Sequence, residues 1–498
     1  MTPSLSPPEA WDRLPPEAWD AGAVRHLLRR AGWTARPGDV ERCRRQGLDA
    51  TLAELFPAEP PLLPKPRLVE RFEESAPQLQ RDAAKMTGEE KQRAQRELQE
   101  RGRMALQELS IKWLQFASRP ENSAAAKWNL FLGDVYVVSA DKVRNAALIH
   151  QHYDILARHG FGPAPALSKA VSRSPAMVIY LDLQQSQLKA PNENFARELF
   201  ELFVLGEGNY GENDIKEAAR AFTGYRAQPL QSAFRYVPQQ HDARPKTVFG
   251  VTGNFTGDDV VDLAYRQPGA ATFLPHEMVK FYLSDEPLPL AHLGALGERW
   301  RADGFELRAL LHRFFGSRLF FAPEFRASFI KSPIQFYLGL IQDMALDVAP
   351  LPRLTLNPLR QMGQALFHPP NVRGWVGGRN WINSATLGAR RQLVELLFAP
   401  LDENALNADE QLELVAARTN GAGHVTVDDG TLAPYVSSQP AEVASALCST
   451  LLARTVEPPV RESLREFVAT GPADEKQRLR RIRRAAVTLM QSPEYQLC

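Results

Sequence analysis

Pro191-Asn192-Glu193-Asn194-Phe195-Ala196-Arg197-Glu198-Leu199-Phe200-Glu201-Leu202 is the stretch from which the fold class follows. Pro and Asn open a helix here, and Gly206 closes it. At about 100° per residue, Phe195, Leu199, Leu202 and Phe203 share one face, while Asn194, Arg197, Glu198 and Glu201 form a second stripe. An apolar face of this width needs a packing partner. The same period recurs near 20–31, 36–56, 127–138, 141–159, 165–173, 213–223, 258–266, 272–283, 305–316 and 331–345. The expected fold is therefore mainly α, a multi-helix, bundle-like domain. It carries one short β-hairpin insertion near 234–250, formed by Phe234-Arg235-Tyr236-Val237 and Thr247-Val248-Phe249.

Working outward, residues 1–66 form an N-terminal arm with two helices. The arm repeats Pro-Pro-Glu-Ala-Trp-Asp and is read as extended, pinned by Trp11 and Trp19. Residues 67–118 are charged on most faces and read as a solvent-bridging helical hairpin, broken at Thr87-Gly88. Residues 119–400 hold the main helical domain, and 401–498 a helical region packed on it.

The 498 residues are 44% apolar, enough for a large core, and the acidic and basic side chains nearly cancel to a formal charge of +1. That balance argues against a general nucleic-acid binder, which needs excess positive charge. The arginines at 478, 480, 481, 483 and 484 read as a solvated face. Three cysteines give neither a disulfide framework nor a metal spacing, and they read as buried or free thiols. No apolar run is long enough for a membrane span, and the first residues show no export signal, so a cytoplasmic location is expected.

Four segments hold chemistry-bearing residues. The polar stripe of 191–202 has two readings. Facing solvent, it is the outside of an ordinary amphipathic helix. Facing protein, Arg197, Glu198 and Glu201 must be paired with each other or with a ligand. In 206–223, Glu212 and Asp214 suit a helix N-terminus, and Arg220 lies near its end. His241-Asp242-Ala243-Arg244-Pro245-Lys246 places a His beside an Asp, either as an oriented acid/base with Lys246 nearby or as a turn. The irregular stretch 368–383 holds Asn371, Trp375, Trp381 and Asn383. Such residues stack on and hydrogen-bond a ligand, or equally plug a buried loop. Ser332 is a natural N-cap before Pro333. His150, His152 and His159 lack a zinc-protease pattern, no metal is assigned, and no motif implies a cofactor.

The chain resembles the domain-of-unknown-function family 1800, which consists of uncharacterised, mostly helical bacterial proteins. The likeness is carried by Ala23-Val24-Arg25-His26-Leu27-Leu28-Arg29-Arg30-Ala31-Gly32, the 191–206 stretch, and Glu217-Ala218-Ala219-Arg220-Ala221-Phe222-Thr223-Gly224. His241-Asp242 with Lys246, Lys331-Ser332-Pro333, Pro369-Pro370-Asn371-Val372-Arg373-Gly374-Trp375 and Trp381-Ile382-Asn383 extend it along nearly the whole chain. The resemblance implies no settled activity. It implies an envelope or secreted setting as the alternative location. It also implies, by gene neighbourhood alone, a partner that resembles sulfatases, from the family of unknown function 1501. The chain departs from the family where relatives carry a Trp-His-Asn-His-like run. Here that place reads Phe131-Leu132-Gly133-Asp134-Val135-Tyr136-Val137, which puts any chemistry of those histidines in doubt.

Two functional expectations follow. As an enzyme, the chain brings the stripe, the His241 segment and the Trp loop into one pocket. Glu198, Glu201, His241 and Asp242 then do acid–base work, while Asn194, Arg197, Arg220, Lys246, Asn371, Trp375, Trp381 and Asn383 hold substrate. The reaction expected is hydrolysis of a carbohydrate or of a sulfated, anionic polymer. As a non-catalytic scaffold or binding partner, the same residues form a buried polar network that fixes the fold. A metal held by Glu198, Glu201 and His241 is a third arrangement, one that geometry decides.

Overall fold

In the computed structural model, which describes residues 4–436, 438–454, 456–471 and 474–498, helices carry nearly all of the regular backbone. The first three residues of the N-terminal arm lie outside the described residues. The arm is not fully extended. It makes short helical turns at Pro7–Ala10 and Pro16–Ala18, because each Pro sits in the first turn, where its missing N–H costs nothing. Trp11 is buried and donates its indole N–H to the His292 carbonyl at 2.7 Å, and Trp19 donates to the Cys43 carbonyl at 3.2 Å. Asp20 caps the next helix, Ala21–Ala31, by accepting from the Ala23 N–H at 2.8 Å. The helix expected over 36–56 is two, Pro37–Gln46 and Leu48–Leu55. Gly47 between them has φ +86°, a conformation no helix interior contains.

Arg67–Lys85 and Gly88–Ala117 form a helical hairpin that turns at the expected break. Glu108, near the end of the second helix, accepts from the Leu68 N–H at the start of the first, which fixes the pair as antiparallel. Beneath it lies Ser123–Val135, buried along almost its entire length. Lys127, Phe131 and Asp134 are spaced four and three apart on this helix, so they share one face over two turns. That face looks toward Ala270–Tyr282 and toward Pro333–Asp343, whose N-cap Ser332 accepts from the Gln335 N–H at 3.2 Å. Among the described residues, no helix is long and apolar enough to cross a membrane.

The 191–202 stretch folds as an α-helix over Asn194–Glu198, then widens into a π-helix over Leu199–Val204. Leu205 and Gly206 both donate to the Phe200 carbonyl. The wider turn shifts the register, so Phe200 and Val204 join Phe195, Leu199 and Phe203 in the core while Leu202 is only half-buried. Both β-prone runs are strands, but each pairs with its own neighbour. Tyr225–Gln228 pairs antiparallel with Ala233–Tyr236, and Lys246–Val248 with Val251–Gly253. Two hairpins therefore stand where one was expected. In the C-terminal Glu475–Gln491 helix, Arg480 and Arg484 face solvent as expected. Arg478 and Arg483 instead tie down the carbonyls of Ser438, Phe398 and Val427. All three cysteines are buried and unpaired.

Candidate functional site

The polar stripe divides between two environments. Asn194 is used locally: its amide donates to the Leu181 carbonyl at 3.2 Å, and its own N–H bonds Asn192 Oδ1 at 2.9 Å. Arg197 turns outward and grips both oxygens of Glu212 at 2.9 Å, with Glu193 at 3.4 Å. Glu201 points the other way, accepting from the Tyr210 hydroxyl and from Arg373 Nη2, each at 2.7 Å. The same Arg373 nitrogen reaches Glu207 Oε1 at 2.7 Å. Burial, and then the Glu201 charge, hold the Glu198 carboxyl above its ordinary range, and Glu198 has no hydrogen bond or ion pair among the described residues. Because Arg373 is 57% exposed, Arg373→Ala is expected to cost no more than about 1 kcal/mol of stability. It should, however, speed amide hydrogen exchange in residues 373–381, and an unchanged exchange rate there would show that the link does not hold the loop.

The His241 segment forms a closed network. Asp242 is fully buried, and its carboxylate accepts from Arg220 Nε at 2.8 Å, Arg244 Nε at 2.9 Å and the Arg244 N–H at 3.0 Å. The Arg244 bonds, followed by the Arg220 bond, hold it far below the usual carboxylate range despite burial. Lys246 is also buried and donates to the Arg244 carbonyl at 3.0 Å. His241 and Asp242 do not bond to each other: the His241 Nδ1–H donates to the Thr223 carbonyl at 3.1 Å, while the Asp242 N–H donates to Thr223 Oγ1 at 2.8 Å. The remaining histidine cluster is likewise occupied, with His150 on the Leu63 carbonyl and His152 on Ser174 and Tyr136. Among the described residues, no three His, Cys, Asp or Glu side chains converge as metal ligands, so Glu198, Glu201 and His241 form no such set.

The Trp loop closes over a cavity of about 100 Å³. Asn371 shapes the loop, accepting from the Arg373 N–H at 2.8 Å and, through its carbonyl, from the Gly374 N–H. Gly374 has φ +76°, and a Cβ there would land on the Asp134 carboxylate. The close approach lets the Trp375 N–H donate to Asp134 Oδ1 at 2.9 Å. Trp375 and Trp381, each 8% exposed, form apolar walls of the cavity. Asn383 does not face it but caps Ser384–Phe398, accepting from the Thr386 N–H at 3.0 Å.

The floor of the cavity comes from the Ser123–Val135 face, and residue-by-residue reading of the sequence did not single it out. Asp134 keeps part of its surface open to the cavity, and its second oxygen has no protein partner among the described residues. Burial raises it to about 7, with Glu277 adding to the rise and the Trp375 N–H opposing it. Lys127, two turns away, donates to the Gly32 carbonyl and to Gln335 Oε1, each at 3.0 Å. Burial lowers it to about 7 as well. Glu277 and Lys280 line the opposite wall, 2.9 Å apart as an ion pair. Two signals for this floor were present in the sequence: charged residues at 127 and 134 on an otherwise uncharged helix, and the departure from the family at Phe131–Leu132–Gly133–Asp134.

Of the residues proposed from sequence, the structure joins Glu201 to the Trp loop through Arg373, which itself lines the cavity. It gathers Arg220, His241, Asp242 and Lys246 separately, and none of these lines that cavity. The family described as protein of unknown function (DUF1800) matches residues 26–497, nearly the whole chain. Neither a curated protein nor a solved structure matches the chain.

Proposed function

This chain belongs to the DUF1800 family, and we propose that it is a hydrolase whose acid is Asp134, acting on the end group of a carbohydrate or of a sulfated, anionic polymer in the cavity beneath the Trp loop. The observation that carries the reading is a carboxyl group poised near neutral pH, with one oxygen oriented by the Trp375 N–H and the other, beside a cavity, without a partner among the described residues. A neutral carboxyl gives its proton to a leaving-group oxygen as the bond to that oxygen breaks. The Glu277 carboxylate, in the same cavity, takes the proton from the attacking water. Trp375 and Trp381 supply apolar walls for a sugar-like ring, and Arg373, already bound to Glu201, is placed to meet an anionic substituent. At about 100 Å³ the cavity takes a single small group, so the substrate enters by its terminus.

The Asp242 network supports the structural alternative for its own part of the chain: a sealed carboxylate with four bonds from two arginines orders a hairpin. We accordingly assign His241, Asp242, Arg220 and Lys246 to the fold. A sulfatase-like partner would share an anionic polymer with this site, a link that rests on the family resemblance alone.

The test is a screen of wild type, Asp134→Asn and Glu201→Gln on oligosaccharides and sulfate esters. Turnover by wild type is expected to fall at least about a hundredfold in Asp134→Asn. It should fall less in Glu201→Gln, which disturbs the Arg373 and Tyr210 links and leaves Asp134 in place. Equal turnover by wild type and Asp134→Asn would remove Asp134 from the chemistry.

A further inference from the structure

A second, larger cavity, of about 330 Å³, lies against the Ala21–Ala31 helix and is lined by Arg25, His26, Arg29, Arg326, Arg454 and Cys498. Four of these side chains are guanidinium groups, and no aspartate or glutamate is among the lining residues. The wall therefore carries a positive excess. Arg25 and Arg29 are one turn apart on the helix and face the same way. Arg326 follows the short turn at Pro323–Phe325, and Arg454 follows the Pro440–Leu451 helix, so three separate segments converge.

The bonding of these groups separates anchors from free donors. Arg29 is 97% buried, at 3% exposure, and is fixed by the carbonyls of Leu452 and Thr450. Arg326 spends its Nε on the Phe321 carbonyl at 2.9 Å. His26 gives its Nε2–H to the Phe320 carbonyl at 2.8 Å, and burial with the nearby Arg30 holds it neutral. Arg25 and Arg454 have no hydrogen bond or ion pair among the described residues. Asp20 lies near Gly22, close to Arg326, and its carboxylate offsets one of the four guanidinium charges while its Oδ1 accepts from the Ala23 N–H. Guanidinium groups crowded around a concave wall repel one another until an anion with several oxygens comes between them, and their forked donors match such oxygens. The volume falls in the range of small-molecule sites, about 300–1,000 Å³.

We propose that this basic cavity is a binding site for a small, multiply charged oxyanion, a phosphoryl or sulfuryl group carried by a small molecule, with Arg25 and Arg454 as its free donors and Arg29 and Arg326 as its fixed ones. The proposal does not rest on the hydrolase reading, because none of these residues lines the Trp cavity.

The test is calorimetric titration of the full chain with pyrophosphate, inorganic phosphate and inorganic sulfate, at ionic strength held constant with sodium chloride. Wild type, the double variant Arg25→Ala/Arg454→Ala, and a control, Arg45→Ala on the exposed face of Pro37–Gln46, are compared. Wild type should bind pyrophosphate saturably at one site. The double variant should bind at least about tenfold more weakly, and the control unchanged. Without anion, the double variant should melt no lower than wild type, because it removes repulsion and breaks no bond. Tighter binding of phosphate would assign the phosphoryl source, and tighter binding of sulfate the sulfuryl source. Absence of saturable binding above the chloride baseline, or equal affinity in the double variant, overturns the proposal.

Discussion

Replacing Asp134 by asparagine is expected to stabilise the protein above pH 6 and to leave it unchanged near pH 4. In the folded chain, burial in the cavity floor raises the Asp134 carboxyl from 3.8 to about 7. Between those values the unfolded chain has released its proton and the folded chain has not. Folding stability from this group is therefore fully present below about pH 4 and is lost as pH rises toward 7. Holding the proton from pH 3.8 up to about pH 7 corresponds to about 4 kcal/mol. Because the carboxyl keeps some surface in the cavity, a figure of about 2 kcal/mol is the reasonable expectation. Asparagine keeps an oxygen for the Trp375 N–H and carries no titrating proton. Urea midpoints of both proteins from pH 4 to pH 8 read the effect directly. The gap should open with rising pH in favour of the variant, and a variant weaker than wild type at pH 8 would show that burial does not raise the Asp134 carboxyl. A gain in stability together with a loss of turnover is the signature of a group kept for chemistry at the expense of the fold.

The same residue shows where sequence reading stops. The helical class was legible because the 3.6-residue period of 191–202 and of the other segments states which face is apolar. Caps were legible for the same local reason, as Ser332 and Asp214 illustrate, each bonded within its own first turn. The π-turn at Leu199–Val204 was not legible, since no residue type demands a wider turn; packing of Phe200 and Val204 into the core selects it. The pairing of the β-prone runs was also hidden, because Phe234 and Thr247 each had two possible neighbours. Asp134 owes its orientation to an N–H 241 residues away in sequence, and its raised carboxyl to burial in a cavity floor that forms only when the Trp loop folds over it. Conversely, His241-Asp242 looked like a dyad because the two are adjacent. Adjacent residues point apart, and the two arginines that claim Asp242, Arg220 and Arg244, carried no mark of doing so.

Asp242→Asn is expected to act in the opposite direction, lowering stability by about 2–3 kcal/mol at pH 7. The carboxylate is sealed from solvent and holds Arg220, itself 19% exposed, and Arg244, which is 70% exposed. Breaking a buried pair leaves the remaining charge without its partner, commonly at a cost of about 3–5 kcal/mol, and the exposure of Arg244 places this case below that range. The folded carboxyl sits far below its unfolded value, so its contribution is complete above about pH 4 and fades only as pH falls further, toward the folded value. The deficit of the variant should therefore be flat from pH 5 to pH 8 and narrow below pH 4, where the Asp134 effect vanishes for the reverse reason. Turnover per folded molecule should stay within a fewfold of wild type, because the network orders the hairpin and lines no part of the Trp cavity. A variant with normal stability and abolished turnover would reverse the two assignments, moving His241 and Asp242 into the chemistry and Asp134 out of it. The pair of aspartates thus makes a single experiment: two urea series across pH, of opposite sign, and one turnover measurement that must follow Asp134 and not Asp242.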